Sequence, residues 1–234
     1  MFEKDPFGHA IHDYVRGNPT PDIIVRSELC EDDSMEVELL FRDFEEMPEL
    51  EQIALKRCSG KILDVGAGAG CHAKWLKQQG LEVSLIELSK GAVEYHITQE
   101  LNSRCIDFFD LKGEQYDTLL FLMNGIGIGG ELKNLERTLR QAYELTTPKG
   151  KVLCDSSDLR YLYEDDEGGY WVNLNAEYYG EYDFQMQYKE TQGDWFKWLY
   201  VDFHTLSDCA EKVGFSVELL YDKDYHYLVE LTKK

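Results

Sequence analysis

Lys61-Ile-Leu-Asp-Val-Gly-Ala-Gly-Ala-Gly70 decides the fold. The apolar run over Lys61–Val65 reads as a short buried strand. Three glycines at alternate positions then let the chain turn sharply, and no Cβ blocks a ligand from the turn's amides. Ala73 and Leu76 sit on one face of a helix after the turn, and Gly80 stops it.

The same rhythm continues outward. Leu81–Ile86 is a second strand ending at Glu87, and Ser89 caps a helix carrying Ala92, Val93 and Ile97. A weak strand lies at 103–106, and a strong one, Tyr116–Met123, breaks at Asn124-Gly125. Leu132, Leu135, Leu139, Ala142 and Leu145 form an amphipathic helix. Pro148-Lys-Gly150 turns into a fifth strand, Lys151–Cys154. Thr205 is placed to cap a helix with Leu206, Ala210 and Val213, which Gly214 ends. Val217–Tyr221 and Tyr225–Leu231 face each other across residues 222–224. This alternation predicts an α/β Rossmann-like, doubly wound, mostly parallel sheet of seven strands. Its last strand is antiparallel, with the closing hairpin on the edge or inserted.

Two segments depart from the alternation. In residues 1–60, Asp5 and Pro6 open a helix whose apolar face holds Phe7, Ala10, Ile11, Tyr14 and Val15. A short strand at 23–25, an apolar stretch at 37–41 and a helix begun by Pro48 follow. Residues 157–203 form an insert, and 161–203 hold 14 of the chain's 30 aromatic residues, too local a density for ordinary core filling. Tyr182, Phe184, Met186 and Tyr188 alternate with polar residues, as do Phe196, Trp198 and Tyr200. With Gln192-Gly193 between them they read as a β-hairpin, either a lid over the site or an extension of the sheet.

The chain has 234 residues and a formal net charge of −21, which repels nucleic-acid phosphates over most of the surface. At 43% hydrophobic residues it has ample core, yet no apolar run long enough for a transmembrane helix and no signal-peptide stretch at its start. The six cysteines never come closer than the Cys58–Cys71 pair, which excludes metal-ligand spacing. They read as reduced thiols of a cytoplasmic protein.

A glycine loop between strand and helix, followed by an acid at the end of the second strand, is the pattern of a nucleotide site. Glu87 there can accept both hydroxyls of a ribose. The dinucleotide fingerprint needs glycine at position 71, which is Cys71. The pattern is instead acid-x-G-x-G-x-G, begun by Asp64. With Glu87, the Pro-Lys-Gly turn, Gly214-Phe215 and the final hairpin, it resembles the class I S-adenosylmethionine-dependent methyltransferases over residues 60–156 and 205–234. The flanking segments are similar to those of bacterial enzymes that act on small molecules, and no acceptor comes with the resemblance.

The resemblance implies a domain over 61–234 preceded by an extension over 1–60. It places Asp64, Gly66, Gly68 and Gly70 around the methionine part of S-adenosylmethionine, Glu87 on the ribose and Leu88 on the adenine. Asp107, or else Asp110, meets the adenine amino group, with Phe108 covering the ring. Asn124, after the fourth strand, faces the sulfonium and the methyl acceptor. Asp155 holds a cationic acceptor or takes a proton, and Asp158 can cap a short helix. Tyr14, Arg42, Tyr182 and Trp198 are candidates for contact with the acceptor, Arg42 alternatively for a structural ion pair. His9 and His12 are pocket candidates or surface histidines. The expected activity is in-line methyl transfer to a small-molecule acceptor, with no metal, nucleic acid or membrane partner. A non-catalytic cofactor-binding protein and an NAD-dependent dehydrogenase are the alternatives.

Overall fold

The strand-to-helix alternation folds into a seven-stranded sheet in the computed structural model, which describes residues 3–28, 31–163 and 178–234. The part of the aromatic insert at 164–177, and Cys30, lie outside the described residues. Helix α1 spans Pro6–Val15, and strands β1 (Ile23–Ser27) and β2 (Asp33–Met35) follow it. Helix α2 is Glu49–Arg57. Then come β3 (Lys61–Val65), α3 (Cys71–Gln78), β4 (Glu82–Glu87), α4 (Lys90–Thr98), β5 (Asn102–Cys105), β6 (Tyr116–Phe121), α5 (Leu135–Leu145) and β7 (Thr146–Ser157). The chain closes with β8 (Glu181–Tyr188), β9 (Thr191–Gln192), β10 (Phe196–Leu199), α6 (Phe203–Val213), β11 (Phe215–Lys223) and β12 (His226–Lys233).

The main sheet has the order β11-β12-β7-β6-β3-β4-β5. Its first five strands in sequence are parallel, and β12 is antiparallel to both β7 and β11. The closing hairpin is therefore inserted, with β12 against β7. Burial on both faces explains why β3 and β6 carry adjacent apolar residues rather than alternating ones: Ile62, Leu63, Leu119, Leu120 and Phe121 are fully buried.

Several boundaries differ from the sequence reading. Strand β6 ends at Phe121 rather than Met123. Strand β7 already starts at Thr146, so Pro148-Lys-Gly150, expected as a turn, lies within it as an irregularity in its pairing with β6. Strand β7 runs three residues past Cys154, because β12 begins at His226 and pairs with it as far as Ser157. The turn of the last hairpin is Asp224-Tyr225, both with positive φ, rather than residues 222–224. Helix α6 is capped by Asp202, not Thr205: the carboxylate accepts from both the amide and the hydroxyl of Thr205. On α4 the expected apolar face is rotated, with Ile97 exposed and His96 fully buried.

The insert builds a second sheet together with the N-terminal segment, in the order β10-β8-β1-β2. The hairpin turn is Lys189-Glu190, with Tyr188 paired to Thr191, and not Gln192-Gly193. Phe184 faces Phe196 across β8 and β10, one residue out of step with the β8–β9 register. Gly193 sits in that bulge, donating its amide to Met186.

Helix α1 docks against the start of α4. Asp5 caps α1 through Gly8 and also accepts from the Ser89 hydroxyl and the Gly91 amide. A Cβ on Gly91 would stand 2.5 Å from Gly8 Cα. Gly91→Ala should therefore push α1 off, at a cost of about 1–3 kcal/mol. A thermal melt would show it as a lower Tm, whereas an unchanged Tm would mean that α1 does not depend on this contact.

Candidate active site

The chain leaves β3 toward β4 on one side and returns as β6 on the other, so β3 and β6 flank the point where strand order reverses. Ligands of open α/β sheets sit at the carboxyl ends of the strands there. The glycine loop follows β3 at that point. Gly66, Gly68 and Gly70 all have positive φ. A Cβ on Gly66 would meet nothing within 4 Å, and one on Gly68 only the ring of Phe7 from α1. The loop is thus open on the face where its amides can meet a ligand.

Glu87, at the end of β4, fastens this loop. Its carboxylate accepts from the amides of Gly68 at 3.0 Å, Leu88 at 2.7 Å and Ser89 at 3.0 Å. Burial raises its pKa despite these three donors. One oxygen takes two amides and the other takes one, which leaves lone-pair capacity for a ligand hydroxyl on the second. His96 supports the loop from behind. Its Nε2 lies 2.9 Å from the Gly68 carbonyl and its Nδ1 2.9 Å from the Ser103 hydroxyl. A carbonyl only accepts, so Nε2 carries the proton. Burial lowers the pKa to about 4, and the ring stays neutral. His96→Ala should loosen the loop and cost about 2–4 kcal/mol. A melt and a cofactor titration would both register it, and neither would change if the loop stands alone.

Behind the loop lies a buried ionic cluster. Arg42 donates to both oxygens of Glu51 at 2.6 Å, and His72 Nε2 is 2.7 Å from Glu51. Burial disfavours charge on Glu51, but His72 and Arg42 outweigh it and lower its pKa. Burial likewise works against His72, and Cys71, Glu51 and Asp64 outweigh it, so its pKa lies well above the usual value. Asp64 is 2% exposed, and its Oδ2 has no hydrogen-bond partner. Burial raises its pKa to about 6. Burial, reinforced by Glu51, raises Asp155 to about 7. Three carboxylates thus share the interior with two cations, which leaves anionic charge available to a cationic ligand.

Beyond β6 the chain turns through Met123 and Asn124, both left-handed. Asp155 on β7 holds that turn, accepting the Asn124 amide at 3.0 and 3.1 Å. The Asn124 carbonyl accepts from Trp198 Nε1 at 3.1 Å, which ties the second sheet to the site's floor. Gly127 makes that approach possible, since a Cβ there would lie 2.2 Å from the Leu199 carbonyl. A groove of about 770 Å³ opens beside Glu87, lined by Asp5, Phe7, Leu88, Ser89, Met186 and Phe196.

A methyltransferase domain family matches residues 39–220. A methyltransferase from Bacteroides fragilis, crystallised with S-adenosylhomocysteine, is 44% identical over 100% of this chain and 96% of its own, with a TM-score of 0.92. The chain belongs to the S-adenosylmethionine-dependent methyltransferases. More distant structures share the fold alone. A methyltransferase from Clostridium acetobutylicum matches 97% of this chain and 98% of its own at 12% identity and a TM-score of 0.59. The sugar N-methyltransferase KedS8 from Streptoalloteichus matches 88% and 96% at 16% and 0.57. No curated protein matches the sequence.

The methyltransferase's residues fit its cofactor on grounds of their own. An orphaned buried carboxylate and surplus anionic charge suit a ligand carrying an ammonium and a sulfonium. An acid at a strand end and an open glycine cradle suit a nucleoside. The expected residues do not all gather here. Leu88 is 66% exposed and forms part of the groove wall. Asp107 is exposed and accepts from the Phe109 amide, capping the short turn at Phe108–Asp110. Phe108 is not over the site: it is buried in the core, edge-on to Phe121. Arg42 pairs with Glu51 and the Leu39 carbonyl, the structural ion pair of the alternative reading, and its buried Nε has no hydrogen-bond partner among the described residues. Tyr14 stacks on Phe41. Tyr182 is buried beside Phe184 and Tyr200. His9 meets Thr191, and His12 is 3.9 Å from Glu94. Asp158 does cap the turn at Leu159–Tyr163, through the Arg160 amide. Glu51, His72 and His96 were not legible as site residues, because a charged residue on a short helix reads as solvent-facing.

Proposed function

We propose that the protein transfers a methyl group to a small-molecule acceptor held between the Asn124 turn and the second sheet. The observation that carries this reading is the bond from Trp198 to the Asn124 carbonyl, which fixes an aromatic roof over the strand ends. A roof fastened to the floor suits a small acceptor better than a protein surface, and a net charge of −21 opposes nucleic acid. S-adenosylmethionine supplies an electrophilic methyl group on a good leaving group. The glycine loop and Glu87 would hold its nucleoside, and Asp64 its ammonium. Asn124 would orient the acceptor, and the roof would exclude water from the displacement. Asp155 serves the turn first, through the single Asn124 amide that its two oxygens share, and keeps lone-pair capacity on both. No described helix is long and apolar enough to cross a membrane, and the described cysteines are free thiols, which suits a reducing cytoplasm.

Calorimetry should show S-adenosylhomocysteine binding far more tightly than NAD. Incubation of a cell extract with methyl-labelled cofactor should then place the label in the low-molecular-weight filtrate. Label confined to the protein fraction would overturn the small-molecule reading, and cofactor binding without any labelled product would favour a non-catalytic role.

A further inference from the structure

Two side chains outside the cofactor machinery, those of His226 and Ser157, form a line that ends on Asn124. Ser157 Oγ is 2.7 Å from Asn124 Oδ1, and His226 Nδ1 is 2.8 Å from Ser157 Oγ. Ser157 and His226 face each other across β7 and β12. Ser157 is 3% exposed, so this geometry is held by the sheet rather than by a loop. The proton order follows from valence. An amide oxygen only accepts, so the Ser157 hydroxyl must donate to Asn124. That hydroxyl has no second hydrogen, so His226 Nδ1 must carry a proton and donate to Ser157. The structure sets the oxygen of the Asn124 amide toward Ser157; the reversed chain, in which the amide NH2 donates to Ser157 and Ser157 donates to His226, would put the His226 proton on Nε2. Asn124 is half-buried, and among the described residues its NH2 group makes no hydrogen bond.

We infer that Ser157 and His226 are positioning residues that make Asn124 present a hydrogen-bond donor to the site. The inference rests on the methyl-transfer reading for what meets that donor. A donor beside the reacting methyl favours an acceptor whose neighbouring group offers a lone pair: a hydroxyl, a carbonyl or an uncharged amine. It disfavours an ammonium. The backbone lock from Asp155 and the side-chain lock from Ser157 act on the same residue from positions two apart on one strand. Together they fix both the turn and the amide.

The wild-type protein with S-adenosylhomocysteine bound tests this by nitrogen-15 correlation spectra of the imidazoles above neutral pH. The His226 proton is expected on Nδ1, the minor position of a free imidazole. A proton on Nε2 would overturn the inference, since Ser157 would then donate to His226 and the Asn124 amide would be reversed. A second arm compares S-adenosylhomocysteine with the cofactor analogue that carries an ammonium group in place of the methylated sulfur. Asn124→Asp exchanges the donor for a carboxylate and should shift the ratio of the two dissociation constants toward the ammonium analogue by about tenfold or more. Ser157→Ala should move the ratio the same way by less, and Ser157→Thr should restore it. An unchanged ratio in Asn124→Asp would mean that the amide does not face the reacting methyl. If the wild type binds neither compound, the methyl-transfer reading fails, while the His226 tautomer of the unliganded protein still decides the positioning inference.

Discussion

The Glu87→Ala variant is expected to bind S-adenosylhomocysteine at least about a hundredfold more weakly than the wild type, and to melt several degrees lower. Two losses combine. A ribose hydroxyl would lose a charge-assisted bond, on the order of 1.5–3 kcal/mol. The amides of Gly68, Leu88 and Ser89 would also lose their shared acceptor. An amide left without a partner costs about 1–3 kcal/mol where water cannot reach it, and the glycine loop would lose its hold on β4. Glu87 fastens the cradle, and in the proposed role it is a ligand group as well. Calorimetry and a thermal melt separate these roles. Weak binding with an unchanged Tm would mean that the loop keeps its shape without the carboxylate. A lower Tm with unchanged affinity would remove Glu87 from the ligand.

The glycine loop, Glu87 and the strand-helix order were legible because each is a local pattern. A buried parallel strand is a short apolar run, and a sharp turn onto a helix demands glycine at positive φ. Ser89 and Asp5 were legible as caps for the same reason. What escaped is non-local. Nothing in Ile23–Ser27 announces that it pairs with residues 184–187, since a strand's partner leaves no trace in its own alternation. The turn at Lys189-Glu190 escaped because lysine seldom adopts the left-handed backbone that it has there, whereas Gln-Gly looks like a turn. The reach of β7 to Ser157 depends on β12, some seventy residues later, and so does the His226–Ser157 contact. Buried ionisable residues are the hardest to find. Arg42, Glu51 and His72 neutralise one another from three different segments, and each alone resembles a surface residue. Phe108 erred in the other direction. An aromatic next to a strand end suits an adenine, but the turn at Phe108–Asp110 aims its ring into the core.

Cofactor affinity and the stability of the unliganded protein should depend on pH in opposite directions. Asp64 is raised to about 6 and Asp155 to about 7, in both cases chiefly by burial. A raised carboxyl pKa means that the folded chain holds protons which the unfolded chain has released. Between the unfolded value and the folded one, these groups therefore lower stability as pH rises. For Asp64 the effect is complete above about pH 7 and on the order of 3 kcal/mol; for Asp155 it is complete about one unit higher. A cationic ligand prefers the ionised form and expels the proton on binding. S-adenosylmethionine affinity should accordingly climb from pH 5 to pH 8, by at least about tenfold if Asp64 alone must ionise, and level off above neutrality. S-adenosylhomocysteine keeps the ammonium that Asp64 would meet, so it should show the same dependence through Asp64; a steeper profile for S-adenosylmethionine would mark a further response of Asp155 to the sulfonium. Asp64→Asn separates the two effects. It removes a buried charge and should raise the Tm of the unliganded protein above neutral pH. It should also flatten the affinity profile at its weak, acidic level. Calorimetry in buffers of different ionisation enthalpy would count the protons released. Binding of S-adenosylmethionine near pH 6 without proton release would show that neither carboxylate answers the cofactor's charge. An Asp64→Asn variant that melts lower than the wild type above neutral pH would show instead that the buried carboxylate stabilises the fold, with the protonated His72 beside Glu51 as its counter-charge.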